Sequence, residues 1–232
     1  MAAERIPAGD LVSALVRGLP PPRTTRVDFD SRPAPDPDGR TAAGVLLLVY
    51  PHTHPDYGAE APHLVLTRRT DHLPRHRGQI SLPGGRLDPH DPSLLATALR
   101  ETHEELGVHP SLVTVLGRLQ PVLITASHYV ITPFVATASQ RPSFAPAHGE
   151  VAEVIDVPLA HLLDPATLQE EVWDLRGAER LVSFFRYREH KIWGATARVL
   201  GQLIELIDPT FRARHPNQLP PGGVSPESQK VE

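Results

Sequence analysis

The sequence predicts an α/β fold, a mixed β-sheet flanked by helices, on three observations. Residues 42–50 (AAGVLLLVY) form a continuous apolar run of strand length, the pattern of a strand buried on both faces. Shorter β-like runs follow at 63–67, 112–120, 129–137 and 151–157. Two segments, 92–106 and 195–207, instead carry apolar residues at helical spacing. With 232 residues, 40% of them hydrophobic, the chain can fill one sizeable domain.

Taken in order, residues 10–18 (DLVSALVRG) predict a short helix capped by Asp10 and ended by Gly18. Residues 19–40 are too rich in Pro and Asp to be regular, so 1–40 reads as an N-terminal arm ahead of a domain over 41–211. Pro51, Pro55 and Gly58 mark a turn between the first two strands. Pro158 suits the first position of a helical turn reaching Leu163. Residues 181–187 and 190–193 read as a hairpin. The helix at 195–207 places Val199, Leu200, Leu203, Leu206 and Ile207 on one face. Residues 212–232 are polar, Pro-containing and read as a disordered tail.

Composition excludes several function classes. There is no cysteine, hence no disulfide, thiolate metal site or Cys nucleophile, and a cytoplasmic location is the default expectation. A net charge of −4 with 5% aromatic residues argues against a nucleic-acid partner. No apolar run approaches the roughly 18 residues of a membrane span, and MAAERIPAGD lacks the features of a secretory signal. No Gly-x-Ser-x-Gly or P-loop pattern is present. His52-x-His54 and the His72/His76 pair lack a carboxylate or Cys at zinc spacing. The oligomeric state stays open, with a homodimer as one option.

The chemistry lies between Ser81 and Val108, SLPGGRLDPHDPSLLATALRETHEELGV. Gly84 and Gly85 permit positive φ and close approach of backbone to a ligand. Asp91 as cap, Pro92 in the first turn and Gly107 as terminator bound a helix over 92–106. On it, Leu95, Ala98, Leu99, Thr102 and Leu106 share one face, and Glu101, Glu104 and Glu105 cluster on the adjoining one at i, i+3, i+4. Three carboxylates in one turn repel one another by a few tenths of a kcal/mol per pair. They also sit at the end of the helix dipole that disfavours negative charge. A cation relieves both penalties, and hard oxygen donors suit Mg²⁺ or Mn²⁺, hence phosphate chemistry. Just upstream, Arg68, Arg69, Arg75 and Arg77 with His72 and His76 face one Asp, a concentration of positive charge suited to holding phosphate.

These residues resemble a known family. Gly85, an acid six positions on, then Arg100-Glu101-x-x-Glu104-Glu105-x-Gly107-Val108 is similar to the Nudix box. Asp91 takes the place of the usual Glu, eight residues rather than seven separate it from Arg100, and Thr102 fills an aliphatic position. Upstream, VLTRRTDHLPRHRGQISLPGG (Val65–Gly85) is similar to the LLTxR[S/A]xxxRxxxGxxxFPGG signature of the coenzyme A pyrophosphatase branch, with Pro74 where that signature has Arg.

The resemblance implies the Nudix α/β/α sandwich, a mixed β-sheet between helices. It implies water attack on a diphosphate, with Mg²⁺ or Mn²⁺ held by Glu101, Glu104, Glu105 and the Gly85 carbonyl and with Arg100 orienting the glutamates. The general base is either a box glutamate such as Glu105 or a later acid, Glu150 or Glu153. Arg68, Arg69, Arg75, Arg77, Gly78 and Gly84 are the implied substrate contacts. Coenzyme A is the first substrate expectation. ADP-ribose, a dinucleoside polyphosphate, or a sensor without turnover are the alternatives.

Overall fold

The computed structural model describes residues 31–72, 77–125, 127–175 and 177–211. The helix expected at 10–18 and the tail from 212 lie outside the described residues.

Strand β1 (Thr41–His54) is the axis of the fold. It pairs antiparallel with β2 (Gly58–Arg69), which pairs with the two-residue β3 (Ile80–Ser81), while β4 (Gly84–Arg86) lies along the first half of β1. Helix α1 (Leu94–Leu106) follows, then β5 (Thr114–Arg118), β6 (Val122–Ile124) and β7 (Tyr129–Thr137). β7 runs parallel to β1, from Thr41 opposite Tyr129 to Val49 opposite Thr137. β8 (Val151–Pro158) pairs with β2 and completes an eight-stranded mixed sheet.

The pleat of β1 divides the interior. Leu46, Leu48 and Tyr50 join Ala98 and Leu106 of α1 in one core. Val45, Leu47 and Val49 face the other way, into a core completed by α3 (Gly194–Ile207) through Val199, Leu200, Leu203 and Ile204. Successive strand residues point to opposite faces, so an unbroken apolar run is what a strand between two cores needs. Helices on both faces of a mixed sheet make the α/β/α layering the sequence implied.

The second core also holds the short α2 (Leu159–Leu163), with Pro158 at its cap rather than its first turn. It holds an element the sequence did not announce as well. β9 (Leu168–Leu175), β10 (Ala178–Tyr187) and β11 (His190–Trp193) form a separate three-stranded antiparallel sheet, inserting Phe185, Tyr187 and Ile192. The expected hairpin is its β10–β11 half.

Candidate active site

The Gly turn is pinned to β1 from both sides. Leu46 N–H donates to Pro83 O and Leu87 N–H to Ala42 O, each at 2.9 Å. Gly84 has φ 143°, and a Cβ there would lie 2.4 Å from Gly44 O, so only glycine fits. Gly85 is constrained differently: a Cβ would sit 2.3–2.6 Å from the carboxyl atoms of Glu101. The first glycine lets the chain turn, and the second lets an acid approach the backbone. Positive φ, expected of both, occurs at Gly84 only.

Helix α1 begins two residues later than the sequence implied. Ser93, extended at φ −155° and ψ 166°, is the cap, and its hydroxyl accepts from Ala96 N–H at 3.1 Å. Asp91 is thereby released for another task. Its buried carboxylate accepts from Arg100 Nε (3.0 Å) and Nη2 (2.9 Å), from Thr97 Oγ1 (2.9 Å) and from Asp88 N–H (3.0 Å). The Arg100 guanidinium holds this carboxyl down at about 2. The same guanidinium reaches Glu101 Oε1 at 2.9 Å and Glu104 Oε2 at 2.8 Å. It therefore ties the chain ahead of the helix to two acids on it.

The acids differ in environment. Glu105 is only 5% exposed and accepts from Gly84 N–H at 3.2 Å. Burial pushes its carboxyl up to about 7, reinforced by the charges of Glu101 and Glu150 and opposed by the Gly84 amide and Arg69. Glu101 is also pushed up by burial, with Arg100 opposing and Glu104 and Glu150 adding like charge. Glu104 stands on the rim, with its side chain 56% exposed. Glu150 is brought in by a segment that caps the helix end. Ala145 N–H donates to Leu106 O (2.8 Å) and Ala147 N–H to Glu105 O (2.9 Å), satisfying terminal carbonyls. Buried like charges held this close are what a divalent cation relieves, and an all-oxygen donor set fits Mg²⁺ or Mn²⁺.

Comparison with known proteins decides the family. A family model of the NUDIX domain matches residues 40–179. The chain belongs to the Nudix family. The uncharacterized Nudix hydrolase NudL of Photorhabdus laumondii is 35% identical over 202 residues, covering 87% of this chain and 98% of that protein. The uncharacterized NudL of Yersinia pestis is 38% identical, over 63% of this chain and 73% of its own. Among solved structures, the Nudix hydrolase RenU from M. smegmatis is 25% identical, over 54% of this chain and 74% of that one, with a TM-score of 0.43. By the family model, the layering described above is the Nudix sandwich, and α1 is its box helix. Among the described residues no helix is long and apolar enough to cross a membrane.

The basic cluster of this Nudix chain is split by the strand that carries it. β2 extends to Arg69, so Arg68 and Arg69 point to opposite faces. Arg69 Nη1 lies 4.0 Å from Glu105 Oε1, on the box side. Arg68 turns the other way and pairs with Asp71 at 2.9 Å. Gly78 has φ 61°, and a Cβ there would lie 2.9 Å from Asp71 Oδ1, so its geometry is that of a turn. Arg77 stands exposed beside it, and Arg75 lies outside the described residues. Of the two later acids, Glu150 acts electrostatically on Glu101 and Glu105. Glu153 instead lies 3.3 Å from His190 Nε2, away from the box.

One contact had no signal in the sequence pattern. Arg32, from the segment ahead of β1, donates through Nη1 to Asp88 O (3.2 Å), Pro89 O (3.1 Å) and Asp91 O (2.7 Å). A cation reaching backbone carbonyls across 56 or more residues leaves no periodicity to read.

Proposed function

We propose that this Nudix hydrolase cleaves the diphosphate linkage of coenzyme A and its derivatives, giving 3′,5′-ADP and 4′-phosphopantetheine, with Mg²⁺ or Mn²⁺ as cofactor. The observation that carries the reaction class is the gathering of Glu101 and Glu105 over the Gly84–Gly85 turn, with Arg69 4.0 Å from Glu105. The substrate rests on the likeness of Val65–Gly85 to the coenzyme A pyrophosphatase signature.

Glu101, Glu104, Glu105 and the Gly85 carbonyl would hold the cation. Bound there, it supplies acidification of a water and neutralisation of charge on the leaving phosphate. Arg100 keeps Glu101 and Glu104 oriented through its pairs at 2.9 and 2.8 Å. Of the later acids we assign Glu150 to take a proton from the attacking water, a choice supported by its charge bearing on both glutamates while Glu153 is engaged elsewhere. Arg69 binds the diphosphate from the box side, and Arg75 and Arg77 add positive charge to the sequence that follows. Arg68, on the opposite face, drops out of this set.

The test is product analysis by chromatography. Purified protein is given coenzyme A with Mg²⁺ or Mn²⁺, with dephospho-coenzyme A and ADP-ribose run in parallel. Formation of 3′,5′-ADP, abolished by chelator and by Glu105→Gln, is the expected result. Preference for ADP-ribose, which Pro74 in place of the signature Arg would favour, overturns the substrate while leaving the reaction class in place.

A further inference from the structure

On the face of β2 and β8 away from the box lies a second group of metal-ligating side chains. Glu153 stands opposite Arg68 in the β2–β8 pairing, and the β10–β11 turn brings Glu189 and His190 over it. One donor atom from each residue lies within 4.8 Å of the other two. They border an open cavity of about 540 Å³, whose wall also includes Arg68, Gly78 and Lys191.

Three features argue against an ordinary surface cluster. First, the His190 side chain is only 8% exposed, and among the described residues its Nε2 faces two carboxylates, Glu153 Oε1 at 3.3 Å and Glu189 Oε1 at 3.7 Å. The first is a long hydrogen bond and the second is too long to be one. Both also lie close to the edges of about 3.3–3.6 Å that bonds of about 2.0–2.2 Å define around a tetrahedral centre. Second, the nearby cations are committed elsewhere, Arg68 to Asp71 and Lys191 to Glu171. Among the described residues neither Glu153 nor Glu189 has a Lys or Arg partner, so two negative charges flank one imidazole. Third, the cavity leaves room for solvent to complete a coordination sphere of three protein ligands.

We propose that Glu153, Glu189 and His190 bind one divalent transition-metal ion, zinc foremost, distinct from the cations of the box. An imidazole nitrogen with two carboxylate oxygens selects for such an ion over Mg²⁺. Because Glu153 belongs to the main sheet and His190 to the small one, the ion joins the two sheets, and its binding adds to the stability of the folded chain.

The test is equilibrium dialysis of the metal-stripped full chain against Zn²⁺, with Co²⁺ absorption as a second probe. Wild type is compared with Glu189→Gln, with His190→Ala and with the double variant Glu101→Gln/Glu105→Gln. The expected result is one equivalent of Zn²⁺ that survives the double variant and is weakened roughly 10–100-fold or more by Glu189→Gln. In parallel, Zn²⁺ raises the Tm of wild type and not of Glu189→Gln, and the Co²⁺ bands survive in the double variant alone among the three variants. Glu189 is 74% exposed, so its substitution leaves the fold standing even if His190→Ala does not. Equal Zn²⁺ stoichiometry and affinity in wild type and Glu189→Gln would overturn the proposal, as would loss of the equivalent in the double variant.

Discussion

Glu105 is a stability liability in the metal-free protein, and the size of the liability follows from its burial. Its carboxyl is displaced from the ordinary 4.5 to about 7, mainly because a charge there is cut off from water. At about 1.4 kcal/mol per pH unit, that displacement amounts to about 3 kcal/mol. The sign follows from which state holds the proton. Between pH 4.5 and 7 the unfolded chain has lost it while the native chain keeps it, so stability declines as pH rises through that window and levels off above it. Urea unfolding in chelator at pH 5 and pH 8 measures this. Wild type should lose about 2.5 kcal/mol more between those pH values than Glu105→Gln does, since part of the displacement has already been felt by pH 5. At pH 8 the variant should therefore be the more stable protein, and saturating Mg²⁺ should reverse that order. Parallel pH profiles for the two proteins would refute the reasoning, because Glu105 would then carry its charge without cost.

Three further outcomes are expected. Gly85→Ala places a methyl group where the Glu101 carboxyl stands, so kcat should fall by a factor of about 100 or more with the fold retained, as read by initial rates and circular dichroism. Asp91→Asn removes the charge that anchors Arg100, which should cost about 1–3 kcal/mol in denaturant unfolding, because Arg100 is still partly solvated. Among the described residues, Arg198 on α3 has Nε and Nη2 shut from water without an acceptor, and only Nη1 is bonded, to Leu123 O at 2.9 Å. Arg198→Met should therefore raise stability by about 1–2 kcal/mol, and a lower Tm in thermal unfolding would show that the guanidinium contributes something its surroundings do not reveal.

Elements with a strong local pattern were legible in the sequence. Tyr129–Thr137 and His190–Trp193 occur with the bounds expected, and the apolar run at 42–50 is the two-sided strand it suggested. Gly107 ends α1 as read, with φ 71° and its N–H on His103 O. The start of α1 was misplaced because Asp91, Pro92 and Ser93 all carry helix-start chemistry, and only the fold assigns Asp91 to Arg100. β9 escaped because QEEVWD alternates weakly and lies on an edge of a small sheet, where propensity is a poor guide. Strands of two or three residues such as β3, β4 and β6 exist through their partners and carry no periodicity. The box acids were visible because they share one helix turn. The division of Arg68 from Arg69, and of Glu150 from Glu153, depended on where β2 ends and on a register shift opposite it.

The double duty of β1 bears on how this protein opens. Removing either helix would strip one side of the strand yet leave the other side, and both neighbouring ladders, in place. The amides from Leu47 to Val49 are therefore shielded from local excursions of the box or of the small sheet. Their hydrogen exchange should report the global unfolding free energy. Exchange around Gly84 and Gly85 should be faster and should slow when divalent cations are added, so the centre of β1 and the turn beside it keep time with different events.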